Sequence, residues 1–353
     1  MQVTCLAREC EGERILEILE SSASKGTMEL LYTRRPNAYL SYKKESDDTK
    51  VFVIKENEQI IATIAEIIRK VYIGGEVKKI AYVCGLKKDI NYKGNVNWGK
   101  VFFRSLVRDD IDGYFCSVLS DNKSAIDLFE KKRKNVMMTE LLGEYRTYLM
   151  TPYFKFRLEE NSYLFKRASK CDEQQIIKFL NEQGRKKEFF PVIEHIEQFT
   201  NLRIEDFYVL KNGNEIIAVG ALWNQVEYRQ YIVKKYNGVM KIARCLNIFL
   251  RLLGYIQLPK ENENIDFPML SFFISKDDNE EYYKIFLNNL KNEMKKGGMF
   301  VIGTVESSFN GKIYNKLRNI HFDTRIYSID FIAGKGKKVI INKNKLWLEC
   351  GLL

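Results

Sequence analysis

Ser120-Asp121-Asn122-Lys123-Ser124-Ala125-Ile126-Asp127-Leu128-Phe129-Glu130-Lys131 is the stretch on which the fold turns, and it follows the apolar run Tyr114-Phe115-Cys116-Ser117-Val118-Leu119. The run reads as a buried strand. The stretch after it predicts a helix opened by a polar cap, with Ala125, Leu128 and Phe129 on one face. Upstream lies the polar loop Leu86-Lys87-Lys88-Asp89-Ile90-Asn91-Tyr92-Lys93-Gly94-Asn95-Val96-Asn97-Trp98-Gly99-Lys100. It leads into a second helix over about 98–108.

Working outward, the first half alternates strands and helices. A short strand is expected at 2–7 and an amphipathic helix at 12–22, with mixed structure over 28–43. Long strands follow at 50–55 and 59–72 across the turn Glu56-Asn57-Glu58, and another at 79–86. A return strand is placed at 147–156. The second half repeats this order rather than these letters. A strand at 162–168 and a helix at 172–183 lead to a hairpin, 207–210 and 215–223, across Asn212-Gly213-Asn214. A further strand at 230–233 extends that hairpin. Then come a strand at 269–274, a helix at 280–294, a strand at 299–305, a helix at 311–317 and a closing strand at 325–332. The boundaries expected are 1–155, 162–332 and a tail over 333–353, joined near 153–161. The apolar Leu346-Trp347-Leu348 is expected to dock on a domain or to support a homodimer.

With 353 residues, 45% of them hydrophobic and 29% charged, the chain fits a globular protein of two domains. It has no apolar run near the ~20 residues of a membrane span. No signal peptide is recognisable at its start, so cytoplasm is expected and a membrane partner is not. Seven scattered cysteines without a Cys-x-x-Cys pair argue against a disulfide framework or a metal site. Two histidines, His195 and His321, make a Ser-His-Asp triad hard to build. The net charge of +11 raises the odds of an anionic ligand, but lysine is dispersed among acids, as on an ordinary solvated surface.

The 120–131 stretch resembles the signature N-x-x-A-x-x-L-Y-E-K of the GNAT (Gcn5-related N-acetyltransferase) superfamily, with Phe129 in the place of its tyrosine. The loop is similar to the family's L-x-V-x-P-x-Y-R-G-x-G-x-G, in which backbone N–H groups cradle the pyrophosphate of acyl-CoA. Leu86, Tyr92 and Gly94 match, and Lys93 replaces arginine. Lys88 and Ile90 stand at its valine and proline, Val96 and Trp98 at two of its glycines. The resemblance implies an α/β (mixed α+β) class: two tandem GNAT-like domains, each a mostly antiparallel sheet flanked by helices. It implies acetyl-CoA, or another acyl-CoA, held in the first half by Leu86, Lys88, Lys93, Gly94, Asn95, Val96, Asn97, Trp98, Gly99, Lys100, Asn122 and Phe129.

Acyl transfer to an amine needs a polarised carbonyl, a base and an acid. The resemblance puts the polarising N–H near Leu86, and Glu66 on the second long strand is the candidate base. Phe129 cannot donate a proton, and sequence does not say whether Tyr114 or Cys116 faces the cleft. The second half carries four carboxylates and no glycine in the equivalent loop, 274–281, yet Tyr314 restores the phenol. Trp223, Glu227 and Tyr228 could line a pocket for a cationic amine, or simply pack in a strand. The expected function is acyl-CoA-dependent N-acylation, acetyl first, of a small-molecule or peptide amine. The alternatives are a non-catalytic CoA-binding or partner-binding protein and, at lower weight, an aminoacyl-tRNA-dependent transferase; nucleic acid is otherwise not expected.

Overall fold

A computed structural model describes residues 1–24, 26–98, 106–130, 137–150, 154–159, 162–247, 249, 258–294, 298–317, 320–331 and 339–353. The class is mixed α+β. In chain order the first half holds β1 (Gln2–Leu6), α1 (Gly12–Glu20), β2 (Met28–Thr33), α2 (Ala38–Lys43), β3 (Thr49–Glu56), β4 (Gln59–Ile73), β5 (Glu76–Lys88), β6 (Gly113–Leu119), α3 (Lys123–Glu130) and β7 (Met137–Met150). The second half holds β8 (Leu164–Arg167), α4 (Glu173–Gly184), β9 (Phe207–Asn212), β10 (Glu215–Trp223), β11 (Gln230–Tyr236), α5 (Gly238–Cys245), β12 (Met269–Ser275), α6 (Glu280–Glu293), β13 (Phe300–Val305), α7 (Phe309–Tyr314) and β14 (Ile320–Phe331). The helix expected over 98–108 lies largely outside the described residues, as do 153, 160 and 161 of the joint at 153–161; the rest of that joint, 154–159, is irregular, with Phe154 packed into the second half's core.

Twelve described strands form one sheet in the order β1-β3-β4-β5-β6-β14-β7-β13-β12-β10-β9-β8. Its two ends mirror each other, because β1, β3, β4, β5 and β6 have counterparts in β8, β9, β10, β12 and β13. Each half places its last strand beside the other half. β14 pairs antiparallel with both β6 and β7, and β7 pairs in turn with β13. The two expected sheets therefore meet through exchanged strands.

The strand expected to extend the second hairpin does not join it. β11 pairs instead with β2, in a separate two-stranded sheet that ties the halves together. Its alternation is that of any half-buried strand, and only tertiary contact selects its partner.

The chain buries both faces of the sheet. Ile15, Ile18 and Leu19 of α1 pack with Tyr42, Val51 and Tyr82 on one face. On the other, Ile126 and Phe129 of α3 pack with Ile61, Ile64 and Val83. The tail is part of the core: Leu346 and Leu348 join the first-half cluster, and Leu352 joins that of the second half.

Candidate functional site

The two halves carry matching irregularities in matching strands. In the first, Gly85 and Leu86 of β5 oppose Ile64, since Cys84 pairs with Ala65 and Lys87 with Thr63. In the second, Phe272 and Phe273 of β12 oppose Gly220, since Ser271 pairs with Ala221 and Ile274 with Val219. Both are β-bulges whose first residue takes positive φ, +64° at Gly85 and +53° at Phe272. Glycine adopts this at little cost, whereas a buried phenylalanine stores strain there.

Next to each bulge the sheet opens. β5 and β6 pair in parallel from Ile80 and Gly113 only as far as Val83 and Cys116, then diverge. The diverging stretch of β5, Cys84 to Lys87, is half-exposed. β12 and β13 pair in parallel at Met269 and Val301. There the tail packs against both strands, with Cys350 in one cluster with Met269 and Val301. The Glu349 carboxylate accepts a hydrogen bond from the Phe272 N–H at 2.6 Å. Burial pushes this carboxyl up to about 7, against the lowering effect of the Phe272 and Gly351 N–H groups.

On the α2 side of the first bulge lies a buried charged cluster that sequence reasoning missed. The Arg34 guanidinium pairs with Glu45 and sits 3.7 Å from the centre of the Tyr42 ring. Arg69 holds the other Glu45 oxygen at 2.8 Å and donates to the Leu352 carbonyl at 3.1 Å. Arg229 donates to the Gly351 carbonyl at 3.0 Å. Burial alone would raise the Glu45 carboxyl, but Arg34, Arg229 and Arg69 bring it down to about 2. Cys84 lies beside this cluster, and burial pushes its thiol up to about 12. The four charged residues come from widely separated segments, so no local spacing announces them.

On the opposite face the structure gathers several of the expected cofactor residues. Leu86, Tyr92, Val96 and Trp98 pack against the cluster that contains Phe129, Val83 and Cys116. Asn122 caps α3, its Oδ1 accepting from the Ala125 N–H at 3.2 Å. Lys88 Nζ donates to the Gly94 carbonyl at 3.2 Å. Gln2 on β1 pins the loop, donating to the Asn95 carbonyl at 2.7 Å and accepting from the Asn97 N–H at 3.1 Å. The Trp98 N–H donates to the Val96 carbonyl at 3.0 Å. Lys93 lines an open depression of about 670 Å³ shared with Arg8, Arg14, Lys55 and Tyr92, and with the acids Glu11, Glu58 and Asp89. Gly99 and Lys100 lie outside the described residues.

Glu66 is fully buried on β4 beside Ala65, the bulge neighbour. Neither carboxylate oxygen has a hydrogen-bond partner among the described residues, and burial pushes the group up to about 7, moderated by Arg108 and Lys50. Its cross-strand partner is Val83, which pairs in turn with Cys116, and Cys116 with Tyr327 of β14, so these four share one face. Cys116 and Tyr114 both face this side, packed with or against its apolar cluster.

Phe129 stacks on Tyr327, ring centres 5.8 Å apart, and the Tyr327 hydroxyl donates to Glu130 at 2.8 Å. A phenol therefore stands beside the phenylalanine, delivered by the exchanged strand. Tyr314 lies elsewhere, fully buried in the second half's core and hydrogen-bonded to Tyr283. Trp223 and Tyr228 are buried as well, Trp223 donating to the Thr200 carbonyl at 2.9 Å, while Glu227 accepts from Asn201 at 2.7 Å on the surface.

No family model matches the chain, and no curated relative does. Solved structures match it in shape. Saccharomyces cerevisiae N-myristoyltransferase, with bound myristoyl-CoA, superposes with a TM-score of 0.56 at 9% identity, covering 98% of this chain and 89% of its own. A GCN5-related N-acetyltransferase from Anabaena variabilis gives 0.55 at 8% identity, covering 93% and 72%. A probable N-acyltransferase from Enterococcus faecalis gives 0.53 at 10% identity, covering 94% and 73%. These three proteins share the arrangement over nearly the whole of this chain while sharing few of its residues. The fold of this chain is the GNAT fold.

Proposed function

We propose that this chain is an acyl-CoA-dependent N-acyltransferase with a single acyl site, at the Gly85–Leu86 bulge of the first half. The observation that carries the reading is the twin bulge. Its counterpart at Phe272 offers a backbone N–H to a carboxylate oxygen at 2.6 Å. A thioester carbonyl develops similar negative charge as an amine attacks it, and a fixed N–H stabilises that charge. In the second half the tail's own carboxylate takes the position. In the first half the corresponding stretch of β5 is half-exposed beside the diverging β6.

Glu66 is the proposed base. A carboxyl raised to about 7 suits proton transfer near neutrality, and a buried carboxyl without partners among the described residues is costly unless it serves a purpose. The amine attacks the thioester carbon, its proton passes to Glu66, and the C–S bond breaks to leave CoA thiolate. The acyl group is acetyl in the simplest case, and the acceptor is a small-molecule or peptide amine.

A second reading, a non-catalytic CoA-binding protein, is favoured by Phe129, which is buried against Tyr327, and by the Asn97 and Trp98 N–H groups, which bond within the protein. Thiol release from acetyl-, octanoyl- and myristoyl-CoA, with a panel of amines, tests the proposal. Amine-dependent release from wild type, reduced about tenfold or more in Glu66→Gln, is expected. Binding without release supports the second reading, and absence of binding refutes both.

A further inference from the structure

Helix α5 and the described residues that follow it present apolar side chains to solvent. Val239, Ile242, Leu246 and Phe249 are 77%, 63%, 48% and 65% exposed. Val239 and Ile242 lie one turn apart on the helix, and Leu246 and Phe249 follow at spacings of four and three residues. The side chains that hold the segment to the body are largely polar. Asn247 is buried, accepting from the Leu258 N–H at 2.8 Å and donating to its carbonyl at 3.1 Å. Arg244 donates to the Pro259 carbonyl at 3.0 Å, and Met240 packs beside Val233 and Tyr236. A surface helix ordinarily turns its apolar stripe inward; this one turns it outward.

The surroundings of the stripe are cationic on balance. Lys234 and Lys235 at the end of β11 are exposed, as is Lys241 on α5 itself. Arg244 and Lys260 add to them, against Glu29, Glu261 and Glu263, which bond to Asn237, to the Tyr236 N–H and to Lys260. The whole chain carries +11.

We propose that this face docks on an anionic lipid surface, with α5 lying in the plane of the interface and Val239 and Ile242, together with Leu246 and Phe249 just after it, entering the boundary between headgroups and acyl chains. A helix of this kind binds through buried apolar area together with attraction to anionic lipids. A second copy of the chain fits less well. Four side chains fall far short of the ~20–30 residues a side in a standard interface. A two-fold pairing would also set the lysines of one copy against those of the other. The expectation of no membrane partner rested on the lack of a spanning segment, which an interfacial helix does not need.

The test is co-sedimentation of the full chain with vesicles of phosphatidylcholine alone and of equimolar phosphatidylcholine and phosphatidylserine. Binding to the anionic vesicles only is expected, falling about tenfold or more in Ile242→Glu/Phe249→Glu, as the loss of two membrane-buried apolar groups implies. Both positions are exposed, and an unchanged melting temperature would show that the variant folds. Three results would each overturn the proposal: no binding to anionic vesicles, equal binding by the folded variant, or a solution dimer that the variant abolishes.

Discussion

At the scale of single residues, two buried carboxylates with opposite surroundings set the response to pH. Glu66 is raised by burial to about 7, so its folded form holds a proton that the unfolded chain releases near 4.5. Stability therefore falls as pH rises through that window, by about 3 kcal/mol for this group alone. Denaturant titrations at pH 5 and pH 8 should show a loss in wild type and about half of it in Glu66→Gln. The remaining slope belongs to Glu349, which is raised into the same range. Glu45 behaves in the reverse sense: held at about 2 by Arg34, Arg229 and Arg69, it contributes stability that is lost only as pH falls towards 2. Glu45→Ala leaves these guanidiniums facing one another in the core and should cost about 3–5 kcal/mol at neutral pH. A loss under 1 kcal/mol in a urea titration would mean that the cluster relaxes or takes up another counter-charge.

At the scale of elements, the bulge in β5 and the exchanged β14 matter most. A Cβ at Gly85 would collide with the Tyr42 hydroxyl and force a side chain into positive φ. Gly85→Ala should lower stability by about 1–3 kcal/mol and weaken acyl-CoA binding together, because the proposed acyl site is built on the bulge. Binding retained at wild-type affinity in a destabilised variant would separate the bulge from the site. β14 covers the edges of both β6 and β7. Residues 1–155 expressed alone would expose those edges, and open edges recruit other chains. That fragment should elute as an oligomer or aggregate, and a stable monomer in light scattering would refute the interlocking described above.

At the scale of the whole molecule, two copies of one arrangement have come to differ. In the second, the tail lies against β12 and β13 and puts a carboxylate on the bulge N–H. In the first, the tail's carbonyls meet Arg69 and Arg229 behind the bulge instead. Native mass spectrometry with a saturating acyl-CoA should therefore show one ligand per chain, and two would show that the second half also binds. The helix of the 120–130 stretch was legible because capping and helical periodicity are local. Asn122 caps its helix as its position implies, and Leu86, Val96, Trp98 and Phe129 meet in one cluster. Tyr314 lay on the right kind of helix, yet its hydroxyl is used on Tyr283. The Arg34–Glu45–Arg69–Arg229 cluster and Tyr327 were not legible. Glu45 meets Arg34 and Arg69 across separations of 11 and 24 residues, and Tyr327 meets Glu130 across 197, and no periodicity encodes such pairings.

What the amino-acid sequence determined by itself is the order of strands and helices, its repetition and the helix after β6, since these follow from patterns a few residues long. Only the tertiary structure decided which half keeps an accessible bulge, where the last strands go and what the tail covers. Strand exchange and tail docking are settled by which distant edges and apolar faces bury one another. The same local pattern is compatible with either outcome.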